Sequence, residues 1–133
     1  MKISTKTQYG LRALIYLAQA DKKICPLKEI SEKENIPFDY LEKIISKLEK
    51  EGVVKAKRGK NGGYFLPCSP KKIKIKKVIE TLEGDWVTVK CLTKENFVCP
   101  QEKKCLAKNF WQTLKKSIDK TLNKITLADL ITK

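Results

Sequence analysis

Not one histidine occurs in these 133 residues. The absence removes the side chain that most often serves as general base and most often binds metals through nitrogen. Ser–His and Cys–His nucleophile pairs cannot be built, and neither can an imidazole-ligated zinc site. Glycine is also scarce, with six in the chain, and no Gly-rich phosphate loop is spelled out. No clustered carboxylate pair offers acid–base chemistry, so an enzyme is not expected. Long hydrophobic runs are missing too. The first residues, Met1-Lys2-Ile3-Ser4-Thr5-Lys6, are polar and match no secretory leader, so a cytoplasmic protein with reduced thiols and no membrane partner is expected.

What the chain has in excess is positive charge. Its 29 Lys and Arg stand against 15 Asp and Glu, a formal net charge of +14 on about one domain. Such an excess favours a polyanionic partner, nucleic acid first and an anionic membrane second. Residues 1–80 carry 19 basic and 9 acidic side chains, against 10 and 6 in the remainder, so the polyanion contact belongs mainly to the first part. A hydrophobic share of 41% supports an ordinary packed core.

Hydrophobic spacing predicts a helix from about Lys6 to Ala20, through Tyr9, Ala13, Leu14, Leu17 and Ala18. A short helix from Leu27 to Lys33 follows, then a turn at Glu34-Asn35-Ile36-Pro37. A third helix from Phe38 to Glu51 carries Leu41, Ile44, Ile45 and Leu48 on one stripe. A short helix, a tight turn and a longer helix make a helix-turn-helix. Beyond Gly52, Val53–Lys57 and Gly63–Leu66 flank a basic, glycine-rich tip, Arg58-Gly59-Lys60-Asn61-Gly62, which predicts a hairpin. The expected fold is therefore mainly α with a small β-wing. A winged helix-turn-helix domain would span 1–84, with a short helix through Val78, Ile79 and Leu82 that ends at Gly84. An irregular, cysteine-bearing loop is expected over 85–104. Residues 105–133 would form a long helix and a C-terminal segment, with Leu106, Phe110, Leu114, Ile118 and Leu122 recurring every four residues, joined by Trp111 and Ile125. The small domain has little surface to cover that stripe, so a two-fold dimer is expected to cover it.

A helix-turn-helix places the start of its second helix in the major groove of double-stranded DNA. Here that start is Phe38, Asp39, Tyr40, Glu42 and Lys43. Tyr40 suits a phosphate or sugar, Lys43 a phosphate or guanine, and Glu42 the amino group of cytosine. At the wing tip Arg58 sits beside Gly59, with Lys60 and Asn61 next, so its guanidinium can reach a narrow minor groove where negative potential is concentrated. Lys55, Lys57 and Lys60 would touch neighbouring phosphates.

Five cysteines make an odd number, which argues against a secreted disulfide framework. Cys91, Cys99 and Cys105 lie within fifteen residues, between the wing and the long helix. Thiolates are the soft ligands of iron–sulfur clusters, and zinc also accepts them. Thiol redox chemistry without a metal is a further reading. Any tetrahedral site needs a fourth donor, and Cys25, Cys68, Gln8, Glu102 or an exogenous thiol or water are the candidates. Cys25 and Cys68 lie beside prolines and read as half-buried small side chains. Lys90, Lys94, Lys103, Lys104 and Lys108 would offset the negative charge of a thiolate cluster.

In combination these motifs resemble the winged-helix iron–sulfur regulators typified by IscR and NsrR. The matching stretches are residues 1–14, Ile30-Ser31-Glu32, Tyr40-Leu41-Glu42-Lys43, Arg58-Gly59-Lys60-Asn61-Gly62-Gly63-Tyr64, the three cysteines, Trp111-Gln112-Thr113-Leu114 and Ile125–Leu130. The resemblance covers nearly the whole chain. It implies a homodimeric transcription regulator, read as a repressor, whose Cys91, Cys99 and Cys105 hold an iron–sulfur cluster. A 2Fe–2S form is expected over 4Fe–4S, with cluster-assembly proteins as further partners. The sequence departs from the family in three places. Seven residues separate the first two cysteines, wider than the five of well-known members. Where IscR-like members place a ligating histidine stands Lys108, and where some NsrR-like members place an aspartate from the partner subunit stands Gln8.

Overall fold

The computed structural model describes residues 3–84 and 106–131. In chain order these form α1 (Thr5–Gln19), α2 (Leu27–Glu34), α3 (Phe38–Lys50), β1 (Lys55–Lys57), β2 (Gly63–Phe65), a 3-10 turn (Pro70–Lys72), α4 (Ile75–Glu83), α5 (Lys108–Lys124) and α6 (Leu127–Ile131). The expected architecture is present: helices with one small wing.

Each early helix follows from its own residues. Ser4, in extended conformation, caps α1 by accepting from the Thr7 N–H at 3.4 Å. Thr7, Gly10, Ala13, Leu14 and Leu17 then turn one face inward. α2 ends at Asn35, whose left-handed backbone (φ 54°, ψ 50°) suits a short polar side chain. Ser31 secures the bend, its hydroxyl donating to the Ile36 carbonyl at 2.5 Å and its carbonyl accepting from the Ile36 N–H at 3.0 Å. α3 buries Leu41, Ile44, Ile45 and Leu48. Gly10 lets α1 approach α3 and α4 closely, for a Cβ there would run into the Leu82 side chain and press on Ile44.

The hairpin is shorter than expected. Val53 and Val54 lie outside β1 and are both buried (5% and 0% exposed). Two consecutive inward side chains cannot alternate between the faces of a strand, so pairing begins at Lys55. The register is Lys55 opposite Phe65, Ala56 opposite Tyr64 and Lys57 opposite Gly63, and Leu66 lies beyond β2. The segment before α2 adds a bridge to this ribbon. Cys25 N–H donates to the Tyr64 carbonyl at 2.9 Å, and Tyr64 N–H to the Cys25 carbonyl at 2.8 Å. A Cβ at Gly63 would collide with that Cys25 backbone, which explains the glycine.

The later elements close the core. α4 contributes Ile75, Val78, Ile79 and Leu82, and ends at Gly84 with φ 72°. α5 begins at Lys108, three residues later than expected, and stops at Lys124. Ile125 leaves the helix and its carbonyl accepts from the Ile75 N–H at 3.0 Å. The turn that follows opens α6, where Asp129 accepts from the Thr126 N–H at 2.9 Å. Leu127 N–H donates to the Ile73 carbonyl at 2.8 Å, and the Leu127 side chain is fully buried. Among the described residues no helix is long and apolar enough to cross a membrane.

Candidate nucleic-acid interface

The α2–α3 turn sets the start of α3 at the surface. Pro37 precedes the helix and no side chain caps it, so the first N–H groups of α3 are left open. Phe38 and Tyr40 are 42% and 39% exposed, unusual for aromatics without a partner surface. Asp39, Glu42 and Lys43 are exposed beside them. Tyr40 is held in place: its ring meets Tyr9 edge-on at 5.6 Å and 87°, and the Arg12 guanidinium lies over the Tyr9 ring at 5.7 Å. Arg12 in turn pairs with Glu34 through Nε–Oε1 at 3.5 Å and donates to the Glu34 carbonyl. This Arg12–Tyr9–Tyr40 stack was invisible to periodicity, which assigned Tyr9 only an inward face.

The wing tip lies exposed through Arg58, Gly59, Lys60 and Asn61. Its turn is closed by Gly62 N–H donating to the Gly59 carbonyl at 3.0 Å, with Gly59 at φ 114°. A Cβ at Gly59 would meet nothing within 4 Å, and Arg58 beside it is exposed. Tyr64 joins wing and helix electrostatically. Its hydroxyl pKa is raised, first by burial and then by Glu49 and Glu42, while Arg58 acts in the opposite direction. Glu42 on α3 and Arg58 on the wing therefore both act on Tyr64.

A second polar cluster lies where α1 meets α2. Glu29 accepts from the Tyr16 hydroxyl at 2.6 Å and from the Lys22 ammonium. The hydrogen bond to Glu29 pushes the Tyr16 hydroxyl up to about 12, while Lys22 and Tyr16 together hold Glu29 below the usual carboxylate range. A third cluster seals α1 to α4. Glu83 Oε1 accepts from Ser4 N–H at 2.6 Å, Ser4 Oγ at 2.5 Å and the fully buried Thr7 Oγ1 at 2.6 Å. These bonds, Ser4 foremost, lower the Glu83 pKa.

Cys91, Cys99 and Cys105 lie outside the described residues. Their segment leaves after Gly84 and returns at Leu106, ahead of α5. Among the described residues no group of three acidic, cysteine or histidine side chains could hold a metal. The two remaining cysteines do not share one environment, contrary to expectation. Cys25 is fully buried, its pKa raised by burial, because its backbone is bridged to β2 and its side chain joins the core; Cys68 is exposed because it stands in the turn after β2.

Residues 3–133 match the family described as Rrf2, iron-dependent transcriptional regulator. The chain belongs to the Rrf2 family. Protein rrf2 of Nitratidesulfovibrio vulgaris is 34% identical over 132 residues, covering 98% of this chain and 87% of that protein. The transcriptional regulator IscR of Aliivibrio salmonicida is 35% identical, covering 98% and 77%. Two solved structures share the fold. T. potens IscR has a TM-score of 0.76 and 38% identity, over 98% of this chain and 86% of that one. CymR, the global cysteine regulator of B. subtilis, has a TM-score of 0.77 and 34% identity, over 98% and 96%. This Rrf2 protein is thus a winged-helix transcription regulator and not an enzyme.

Proposed function

We propose that this Rrf2 regulator is a cytoplasmic homodimeric repressor whose grip on a DNA operator is set by an iron–sulfur cluster on Cys91, Cys99 and Cys105. In this reading α3 enters the major groove, with Glu42 accepting from a cytosine amino group and Lys43 meeting phosphate or guanine. Phe38, Asp39 and Tyr40 lie against the groove wall. Arg58 enters the adjacent minor groove, while Gly59, Lys60 and Asn61 pass the backbone. Three thiolates suit iron, and the fourth donor comes from outside the triplet. When bound, the cluster, expected as 2Fe–2S, supplies a centre reactive toward oxidants and nitric oxide, and cluster-assembly proteins are its expected source.

One observation carries the reading. The cysteine segment is strung between α4, which packs on α3, and α5, which has no buried residue in the single chain. Leu106, just before that helix, and Phe110 on it are 95% and 59% exposed, an apolar surface suited to a second subunit. In this reading a change at the cysteines is passed along the chain to both the reading helix and the expected dimer contact. Likeness to CymR, named as a global cysteine regulator, leaves room for a second reading, in which the thiols of this chain act through zinc or redox chemistry and no cluster forms.

Anaerobic purification from iron-replete cells separates the two. The cluster reading expects coloured protein containing iron and sulfide, and an operator affinity that differs between the holo and apo forms. Colourless protein free of iron and sulfide moves the assignment to the second reading.

A further inference from the structure

Of the two aromatic residues at the start of α3, one has a partner and one does not. The Tyr40 ring rests edge-on against Tyr9 at 5.6 Å. Phe38 is 42% exposed and belongs neither to the core nor to the half-buried apolar residues that pack on it. Among the described residues no aromatic ring and no cation stacks on it. Its neighbours on the helix surface are charged: Asp39, Glu42 and Lys43 are all exposed. An apolar ring left in water forfeits the free energy of burial. Tyr40 has a hydroxyl to offer a phosphate, but the Phe38 side chain has no hydrogen-bonding atom, so neither a phosphate nor a base amino or carbonyl group answers it. The one apolar group on the major-groove edge of DNA is the C5-methyl of thymine. Phe38 also stands four residues before Glu42, one turn away on the same side of α3. At ~1.5 Å rise per residue the two are about 6 Å apart along the helix, close to two base-pair steps of ~3.4 Å.

We propose that Phe38 is a specificity-determining residue that reads the C5-methyl group of a thymine, within about two base pairs of the cytosine met by Glu42. The contact removes ring and methyl from water together. Cytosine carries only hydrogen at that carbon, so a G·C pair leaves the ring unanswered. This inference rests on the DNA-facing assignment of α3, and goes beyond it by moving Phe38 from the groove wall to a base edge and by naming the base.

The test begins with an operator selected from random-sequence duplexes by the full-length wild-type protein. Each thymine of that operator is replaced in turn by deoxyuridine, which pairs with adenine but lacks the methyl, and affinity is read by fluorescence anisotropy. At a thymine within about two base pairs of the pair whose preference is lost in Glu42→Ala, uracil is expected to weaken wild-type binding about fourfold, the effect of one buried methyl group. Phe38→Ala is expected to bind the thymine and uracil operators equally, with its affinity for unrelated duplexes and its melting temperature near wild type. Phe38→Leu, which keeps an apolar side chain, is expected to retain part of the discrimination. Wild-type binding that no uracil substitution weakens, or methyl discrimination that survives in Phe38→Ala, overturns the inference. So does a Phe38→Ala loss equal on all duplexes, which places the ring on the sugar–phosphate backbone. In those cases a loss of operator affinity in Glu42→Ala or Arg58→Ala leaves the DNA-facing assignment standing. Wild-type protein that selects no duplex overturns both.

Discussion

At the scale of single residues, the most consequential side chain outside the expected site is Glu83. One carboxylate oxygen takes three hydrogen bonds from Ser4 and Thr7, closing α1 onto the end of α4. Glu83→Ala leaves the buried Thr7 hydroxyl without its short acceptor, a loss of about 1–3 kcal/mol read by chemical denaturation. Because folding lowers the Glu83 pKa below 4.5, its contribution is complete above that pH and fades as acid carries the group through its folded value. Wild-type protein should therefore lose stability faster than Glu83→Gln on acidification below about pH 4.5, in parallel thermal melts. Arg58 belongs to the same scale: Arg58→Ala should lower operator affinity severalfold or more, and unchanged binding at physiological salt would remove the wing from the interface. The exposed place of Arg58 at the wing tip was legible because its glycine neighbours are adjacent in the chain. The burial of Cys25 and exposure of Cys68 were not, since both sit beside prolines and only the backbone bridge from Cys25 to Tyr64 distinguishes them.

At the scale of elements, α1 to α4 could be read directly, because helical periodicity and the Gly52 and Gly84 stops are local signals. Two features escaped. Val53 and Val54 have strand-forming side chains, yet tertiary packing turns both inward and outweighs that preference. α6 is a five-residue helix, too short for periodicity to detect, and it exists because Ile73 and Ile75 pair their backbones with Leu127 and Ile125. Leu127 drives this return. Leu127→Ala is expected to cost about 2–5 kcal/mol, as for a large aliphatic side chain removed from a packed core. Urea denaturation measures it, and a loss below about 1 kcal/mol would mean that α6 packs loosely.

At the scale of the whole molecule, α5 leaves apolar surface open and buries no residue in the single chain. Phe110 meets Trp111 at 4.9 Å, yet remains 59% exposed in the single chain. Lys76 links the helix to α4 through Asp119 at 4.0 Å, so its orientation on the domain is held while its apolar side stays open. Phe110→Glu should convert a dimer to a monomer by light scattering, with little change in the circular dichroism of the domain; a dimer that persists places the subunit contact elsewhere. The order of amino acids by itself determined the helix-turn-helix, its basic wing, the triplet of thiols and the lack of any imidazole. These are matters of composition and of neighbours within a few residues. Only the tertiary structure decided that Glu83 seals α1, that Tyr40 leans on Tyr9 beside Arg12, and that Leu127 returns to the core. Each joins residues far apart in sequence, 79 positions for Ser4 and Glu83, and no local signal carries the packing that makes them meet.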